Sequence, residues 1–172
     1  MPTPFCLELP RRLYDEMIGQ ARAELPNECC GLLAGTLIEP GAWQRLWLWL
    51  RRWLARTGIG PIPAGLVRRG RALRRYPLVN EAASPTEYLS EPHSMFAAEK
   101  DRRAHNLEFL AVYHSHPTSE PVPSCTDRER NYSPDVMNLI ISLKAAPVVR
   151  AWWLTAESYR EAEWVLSEES EL

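Results

Sequence analysis

Apolar positions near the start of the chain recur first at helical spacing and then as a continuous run. Leu9, Leu13, Met17, Ile18 and Ala21 share one face of a 3.6-residue period, Pro10 is tolerable in a first turn, and Pro26 stops the run. The spacing predicts a helix over about residues 10–24. Glu28-Cys-Cys-Gly-Leu-Leu-Ala-Gly35 follows, a short apolar run that reads as a buried strand, with Gly31 marking a close backbone approach. Leu78-Val79-Asn80 reads as a short strand and Ser84-Pro85 as a turn; after Pro92 the run from His93 to His105 has helical character. Phe109 to His116 is a strand pattern ended by Pro117, and a proline-rich loop leads on to Ser124. Val136–Leu143 and Val148–Leu154 predict two more strands, and Tyr159–Leu166 alternates weakly. Strands interleaved with two or three helices indicate an α/β or α+β layer fold.

Residues 40–76 depart from this pattern. Four of the seven tryptophans lie here, and on a helical wheel Trp43, Leu46, Trp47, Leu50, Trp53 and Leu54 form one stripe opposite Arg45, Arg52 and Arg56. Leu48 and Trp49 fall off the stripe, Gly58, Gly60, Pro61 and Pro63 break regular structure, and an arginine cluster follows from Arg68 to Arg75. Nine arginines and no acidic residue lie between Trp43 and Tyr76, while six glutamates lie from Glu157 to the end. The formal net charge of −2 hides that segregation, which says more about local docking than the total does.

At 172 residues the chain suits one domain, 1–172, interrupted at about 40–71. Cys6, Cys29, Cys30 and Cys125 form no disulfide framework, since the adjacent pair is poorly placed for bridging and there is no C-x-x-C. Free thiols in a reducing cytoplasm are the plain reading. The opening MPTPFCLELPRR lacks a basic region followed by an apolar stretch, and no run of about 18 apolar residues is present, so neither a signal peptide nor a transmembrane helix is expected. The expected location is cytoplasmic.

Candidate chemistry centres on His114-Ser-His116. On a strand, residues i and i+2 point to the same face, so both imidazoles can reach one metal ion. A catalytic zinc site typically takes three protein ligands and an open position. Asp127, eleven residues after His116 and across a loop stiffened by Pro117, Pro121 and Pro123, is the candidate third ligand; its plain alternative is a first-turn helix acid. H-E-x-x-H is absent, as is the H-x-E with P-C-x-x-C of zinc deaminases. His93 and His105 sit on the expected helix away from the pair and are taken as non-ligands. Cys29 and Cys30 lie in an apolar strand, where thiols are usually inert.

His114-x-His116, seven residues, Ser124, two residues, Asp127 spells H-x-H-x(7)-S-x(2)-D. Upstream, Glu28-Cys-Cys-Gly-Leu-Leu-Ala-Gly35 resembles a glutamate segment of the form E-x-C-G-L-L-x-G, and Asn80, Ser84-Pro85 and Tyr88 match N-x-x-x-S-P-x-x-Y. Val149-Arg150-Ala-Trp152 agrees with the strand expected after the metal site. Together these resemble the JAMM metalloproteases, the MPN-plus family, over residues 10–36 and 77–166. The resemblance implies a cytidine-deaminase-like α/β fold with a central mixed sheet flanked by helices, and Zn2+ held by His114, His116 and Asp127. Glu28 would then be the general base and Ser124 the hydrogen-bond donor to the oxyanion. Outside that resemblance, Glu28 reads as a surface glutamate and Ser124 as a helix N-cap, a role compatible with the other.

The implied activity is hydrolysis of a peptide or isopeptide bond at the C-terminal tail of a small ubiquitin-like or sulfur-carrier protein. The alternative is a non-catalytic scaffold of the kind found among metal-free members; those have lost motif residues, whereas all five positions are kept here. For the Trp/Arg segment four readings stay open: a wall of the substrate groove, a membrane-surface helix over 43–56, a homodimer contact, or a core element with its arginines solvated. No nucleic-acid partner is expected, because arginine supplies nearly all the positive charge and its abundance here partly reflects composition.

Overall fold

A computed structural model describes residues 5–38 and 68–168. The Trp/Arg stripe over 43–56 therefore lies outside the described residues, and residues 68–71 form the start of a strand. In chain order the elements are β1 (Phe5–Pro10), α1 (Arg11–Ala23), β2 (Cys30–Ile38), β3 (Arg68–Leu78), α2 (Pro92–Ala104), β4 (Glu108–His116), α3 (Cys125–Glu129), β5 (Met137–Ser142), β6 (Val148–Leu154), β7 (Tyr159–Glu161) and β8 (Trp164–Ser167).

Among the described residues the strands make one mixed eight-stranded sheet in the order β7-β6-β5-β4-β2-β3-β1-β8. β4 is central, antiparallel to β2 and parallel to β5. Side chains alternate across it, and the two faces have different fates. On one face Leu33, Tyr113, Leu139, Ile141 and Trp153 pack with Phe5, Leu7 and Leu9 against Leu13, Met17 and Ile18 of α1. Removing a side chain such as Leu13 from this face costs about 2–5 kcal/mol. Gly31 is needed here, because a β-carbon there would run into the Tyr113 ring. On the other face Cys30, Leu32, Phe109 and Val112 meet Ala98 of α2 and Tyr88. α2 is capped by Glu91, whose carboxylate accepts the Ser94 N–H at 2.7 Å, with Pro92 in the first turn.

Two sequence expectations are corrected. Phe5, Leu7 and Leu9 are buried at period two with Cys6 and Glu8 between them, so the residues before α1 form a strand and Leu9 belongs to it, not to the helix. The strand read at Leu78–Asn80 is the end of the much longer β3, and Asn80 itself makes only an isolated bridge to Ser90. β3 escapes a search for large apolar residues because its buried positions include Gly70 and Ala72, while arginines fill most of its positions that are not buried. The weakly alternating stretch after Tyr159 is two short strands, β7 and β8, on opposite edges of the sheet.

Candidate metal centre

His114 and His116 end β4 and point away from the α1 face, while Tyr113 and Ser115 point towards it. The alternation is held by pairing on both sides: His114 lies opposite Cys30 of β2 and Ile140 of β5, and His116 opposite Ser142. Ser115 joins the strand end to the glutamate segment. Its Oγ accepts the Cys29 N–H at 2.8 Å, and its own N–H donates to the Cys29 carbonyl at 3.0 Å.

After Pro117 the chain turns back over the histidines and is pinned to the sheet. Ser142 donates its hydroxyl to the Ser119 carbonyl at 2.6 Å, and the Trp152 indole N–H donates to the Pro121 carbonyl at 2.9 Å. α3 then starts on a capping box: Ser124 Oγ accepts the Asp127 N–H at 3.1 Å, and Asp127 Oδ2 accepts the Ser124 N–H at 2.7 Å. The helix is one turn long, and the cap orients Asp127 towards the strand end.

The three side chains converge. The two histidine Nε2 atoms are 3.1 Å apart; Asp127 Oδ1 is 3.4 Å from His114 Nε2, and Asp127 Oδ2 is 3.7 Å from His116 Nε2. One donor atom from each of the three lies within 4.8 Å of the others. Two nitrogens bound at tetrahedral angles to zinc lie about 3.3 Å apart, so the spacing suits shared coordination. His116 Nδ1 is 2.8 Å from the Glu120 carbonyl, and donation to that oxygen leaves the Nε2 lone pair facing the cluster. Tyr88 stacks on the other imidazole, its ring 4.8 Å from that of His114.

The electrostatics favour a cation. Burial pushes the Asp127 carboxyl up, but the neighbouring His114 and His116 imidazoles and the Ser124 N–H outweigh it and hold the carboxyl well below its usual range. Burial alone would lower His116, yet Asp127, the Glu120 carbonyl and Glu28 raise its proton affinity. Glu28 is itself only 4% exposed, and burial carries its carboxyl up to about 7, with His116 opposing and Asp127 and Glu87 adding to the rise. Its main chain is clamped from the Asn80 segment: the Glu28 N–H donates to the Ser84 carbonyl at 2.9 Å, and Asn80 Nδ2 donates to the Glu28 carbonyl at 2.8 Å. The donor set, two imidazoles and one carboxylate, therefore fits a zinc-type ion, with Glu28 a buried carboxyl coupled to it.

All five residues singled out in the sequence fall in this region. Asp127 joins the two histidines, Ser124 caps the helix that carries Asp127, and Glu28 senses both Asp127 and His116. Cys29 and Cys30 are fully buried, and burial raises their thiols to about 12 and about 11, as an inert strand position requires. His105 lies elsewhere, beside Arg74 and Asp101. What the sequence left without a role is the supporting ring: Asn80, Ser84 and Tyr88 were visible only as a matching pattern, and the Glu120 carbonyl, being backbone, leaves no signature in residue type.

Residues 10–155 match the family of prokaryotic homologs of the JAB domain, and the chain belongs to that family. Among curated proteins it is 34% identical over 87 residues to a desampylase of Haloferax volcanii, a match covering 50% of this chain and 61% of the relative. It is 28% identical over 105 residues to a desampylase of Pyrococcus furiosus, covering 61% and 65% of the two chains. A CysO-cysteine peptidase of Mycobacterium bovis is 25% identical over 142 residues, covering 83% and 77%. The chain thus spans less than two thirds of either desampylase. A solution structure of a Desulfitobacterium hafniense protein superposes with a TM-score of 0.70 at 29% identity, covering 96% of this chain and 95% of the other. A Salinibacter ruber protein shares the fold at a TM-score of 0.57 and 20% identity, again over 96% and 95%. Among the described residues no helix is long and apolar enough to cross a membrane.

Proposed function

We propose that this chain is a zinc-dependent hydrolase that cleaves a peptide or isopeptide bond at the C-terminal tail of a small ubiquitin-like or sulfur-carrier protein. The observation that carries the reading is the convergence of His114, His116 and Asp127 next to a buried glutamate. The relatives named as desampylases and as a CysO-cysteine peptidase support the same substrate class.

His114, His116 and Asp127 would hold the ion. When bound, zinc polarises a carbonyl and lowers the pKa of water towards about 7. The remaining work belongs to the protein. Glu28, buried beside the cluster, accepts a proton from the attacking water and returns it to the departing nitrogen. Ser124 uses its oxygen to accept from Asp127, which leaves its hydroxyl proton to meet negative charge developing on the scissile carbonyl. Tyr88 and the Glu120 carbonyl hold the two imidazole rings in place.

The test is zinc content and cleavage of a carrier-protein fusion, for the wild type and for Glu28→Gln. Near-stoichiometric zinc is expected in both, with the variant's rate lower by about 10²–10⁴-fold. Equal rates would remove Glu28 from the mechanism. A wild type that takes up no zinc and cleaves nothing would make the chain a binding module.

A further inference from the structure

A cavity of about 330 Å³ lies beside the three-residue cluster on the same face of the sheet. Leu32, Leu78, Phe109 and Val112 line it from the sheet side. Its remaining walls come from the segment around Tyr88, from Met95 of α2, and from α3 with the chain that leads into β5. Two residues join the cavity to the cluster. Asp127 lines the cavity while facing the histidines, and Tyr88 lines it while stacked on His114. A group seated in the cavity therefore lies directly against the site of the proposed chemistry.

The mouth is apolar as well. Leu89 is 54% exposed, Met95 44% and Tyr132 87%, and all three line the cavity. Phe96, next to Met95 on α2, is 72% exposed. Single exposed apolar residues need no explanation, but several lining one concave apolar site mark a binding surface. Glu87 and Arg130, paired at 3.1 Å, add one polar contact to the lining.

We infer that this cavity is a specificity subsite for a large aliphatic or aromatic side chain of the substrate, close in sequence to the scissile bond; the inference rests on the hydrolase reading. The shared walls choose the occupant. A chain that presents a bond to the cluster passes the cavity mouth, and at about 3.3–3.6 Å per extended residue its neighbouring side chains are within reach. A segment of another copy held there would obstruct the cluster instead. Glycine residues have nothing to place in the cavity, so selectivity comes from a larger residue near the scissile bond.

The test uses synthetic peptides built on a central Gly-Gly, identical except for leucine or glycine placed in turn at each of the flanking positions. Binding is read by fluorescence anisotropy on zinc-loaded Glu28→Gln, and kcat/KM on the zinc-loaded wild type. At one position leucine is expected to outperform glycine by about tenfold to a hundredfold in both readouts. Leu89→Asp and Tyr132→Ser, at exposed positions the fold does not depend on, are expected to bring that ratio towards one. Cleavage with no preference at any position overturns the subsite and leaves the hydrolase reading intact. A leucine preference in binding with no cleavage of any peptide upholds an apolar peptide site and removes the hydrolase reading. If Leu89→Asp instead turns a dimer into a monomer by sedimentation while the preference persists, the cavity mouth is a contact between copies and the inference falls.

Discussion

Two histidine–aspartate clusters among the described residues end up chemically opposite. At the surface, His105 sits beside Asp101, its Nδ1 2.8 Å from the Asp101 carbonyl, and its Nε2 faces an Arg74 guanidinium nitrogen at 2.8 Å. Arg74 also reaches the Asp101 carboxylate at 3.2 Å, and the Tyr76 hydroxyl donates to the same oxygen at 2.8 Å. The side chains of this trio are 39–44% exposed. In the other cluster the side chains of His114, His116 and Asp127 are 0%, 6% and 9% exposed, and two ring nitrogens and a carboxylate face one point. The same two residue types thus give a solvated ion-pair network where an arginine supplies the positive charge, and a candidate metal centre where three lone-pair donors converge in a dry place. Residue identity does not separate the two; burial and the source of positive charge do.

Replacing one aspartate in each cluster tests that contrast most strongly. Asp127→Ala is expected to weaken zinc binding by more than the ~10–100-fold typical of outer-shell partners, measured as zinc retained after dialysis against a graded chelator. Asp101→Ala should leave zinc content unchanged and alter stability by no more than about 1 kcal/mol, as for exposed ion pairs. Equal zinc loss in both would erase the distinction.

A second effect separates the clusters by pH. In metal-free protein the Glu28 carboxyl stands at about 7 against an ordinary 4.5. The folded chain therefore binds more protons than the unfolded chain between those values, and stability falls as pH rises through that window. Glu28→Gln cannot lose a proton, so relative to the wild type it should gain up to about 3 kcal/mol between pH 4.5 and 8, read from denaturant midpoints with chelator present. A constant difference across that range would show that Glu28 is solvated.

The smallest expected effect concerns the joint behind the buried cluster. Ser115→Ala strands the buried Cys29 N–H and is expected to cost about 1–3 kcal/mol of unfolding free energy by denaturant titration. A change below that range would mean that the serine does not tie the glutamate segment to the end of β4.

Much of this was legible in one dimension because the chemistry is periodic there. Two histidines at i and i+2 on an apolar strand must share a face, and α1 declares itself through Leu13, Met17, Ile18 and Ala21. β1 and β3 were harder. β1 is short and runs straight into a helix, so Leu9 fits either period, and β3 buries Gly70 and Ala72 where a pattern search looks for large side chains. The apolar cavity was not legible, since Leu32, Leu78, Val112 and Tyr132 come from four separate stretches and meet only when the sheet is assembled.

By itself, then, the sequence determined the order and type of most elements, the face on which the two imidazoles lie, and the residue types on offer to a cation. Only the tertiary structure decided that Asp127 meets them while Asp101 does not, that Glu28 is buried enough to stand near neutrality, and that an apolar hollow adjoins the cluster. The reason is physical. Periodicity records which side of an element a residue occupies, whereas distance, dielectric and enclosed volume depend on what the rest of the chain brings alongside it.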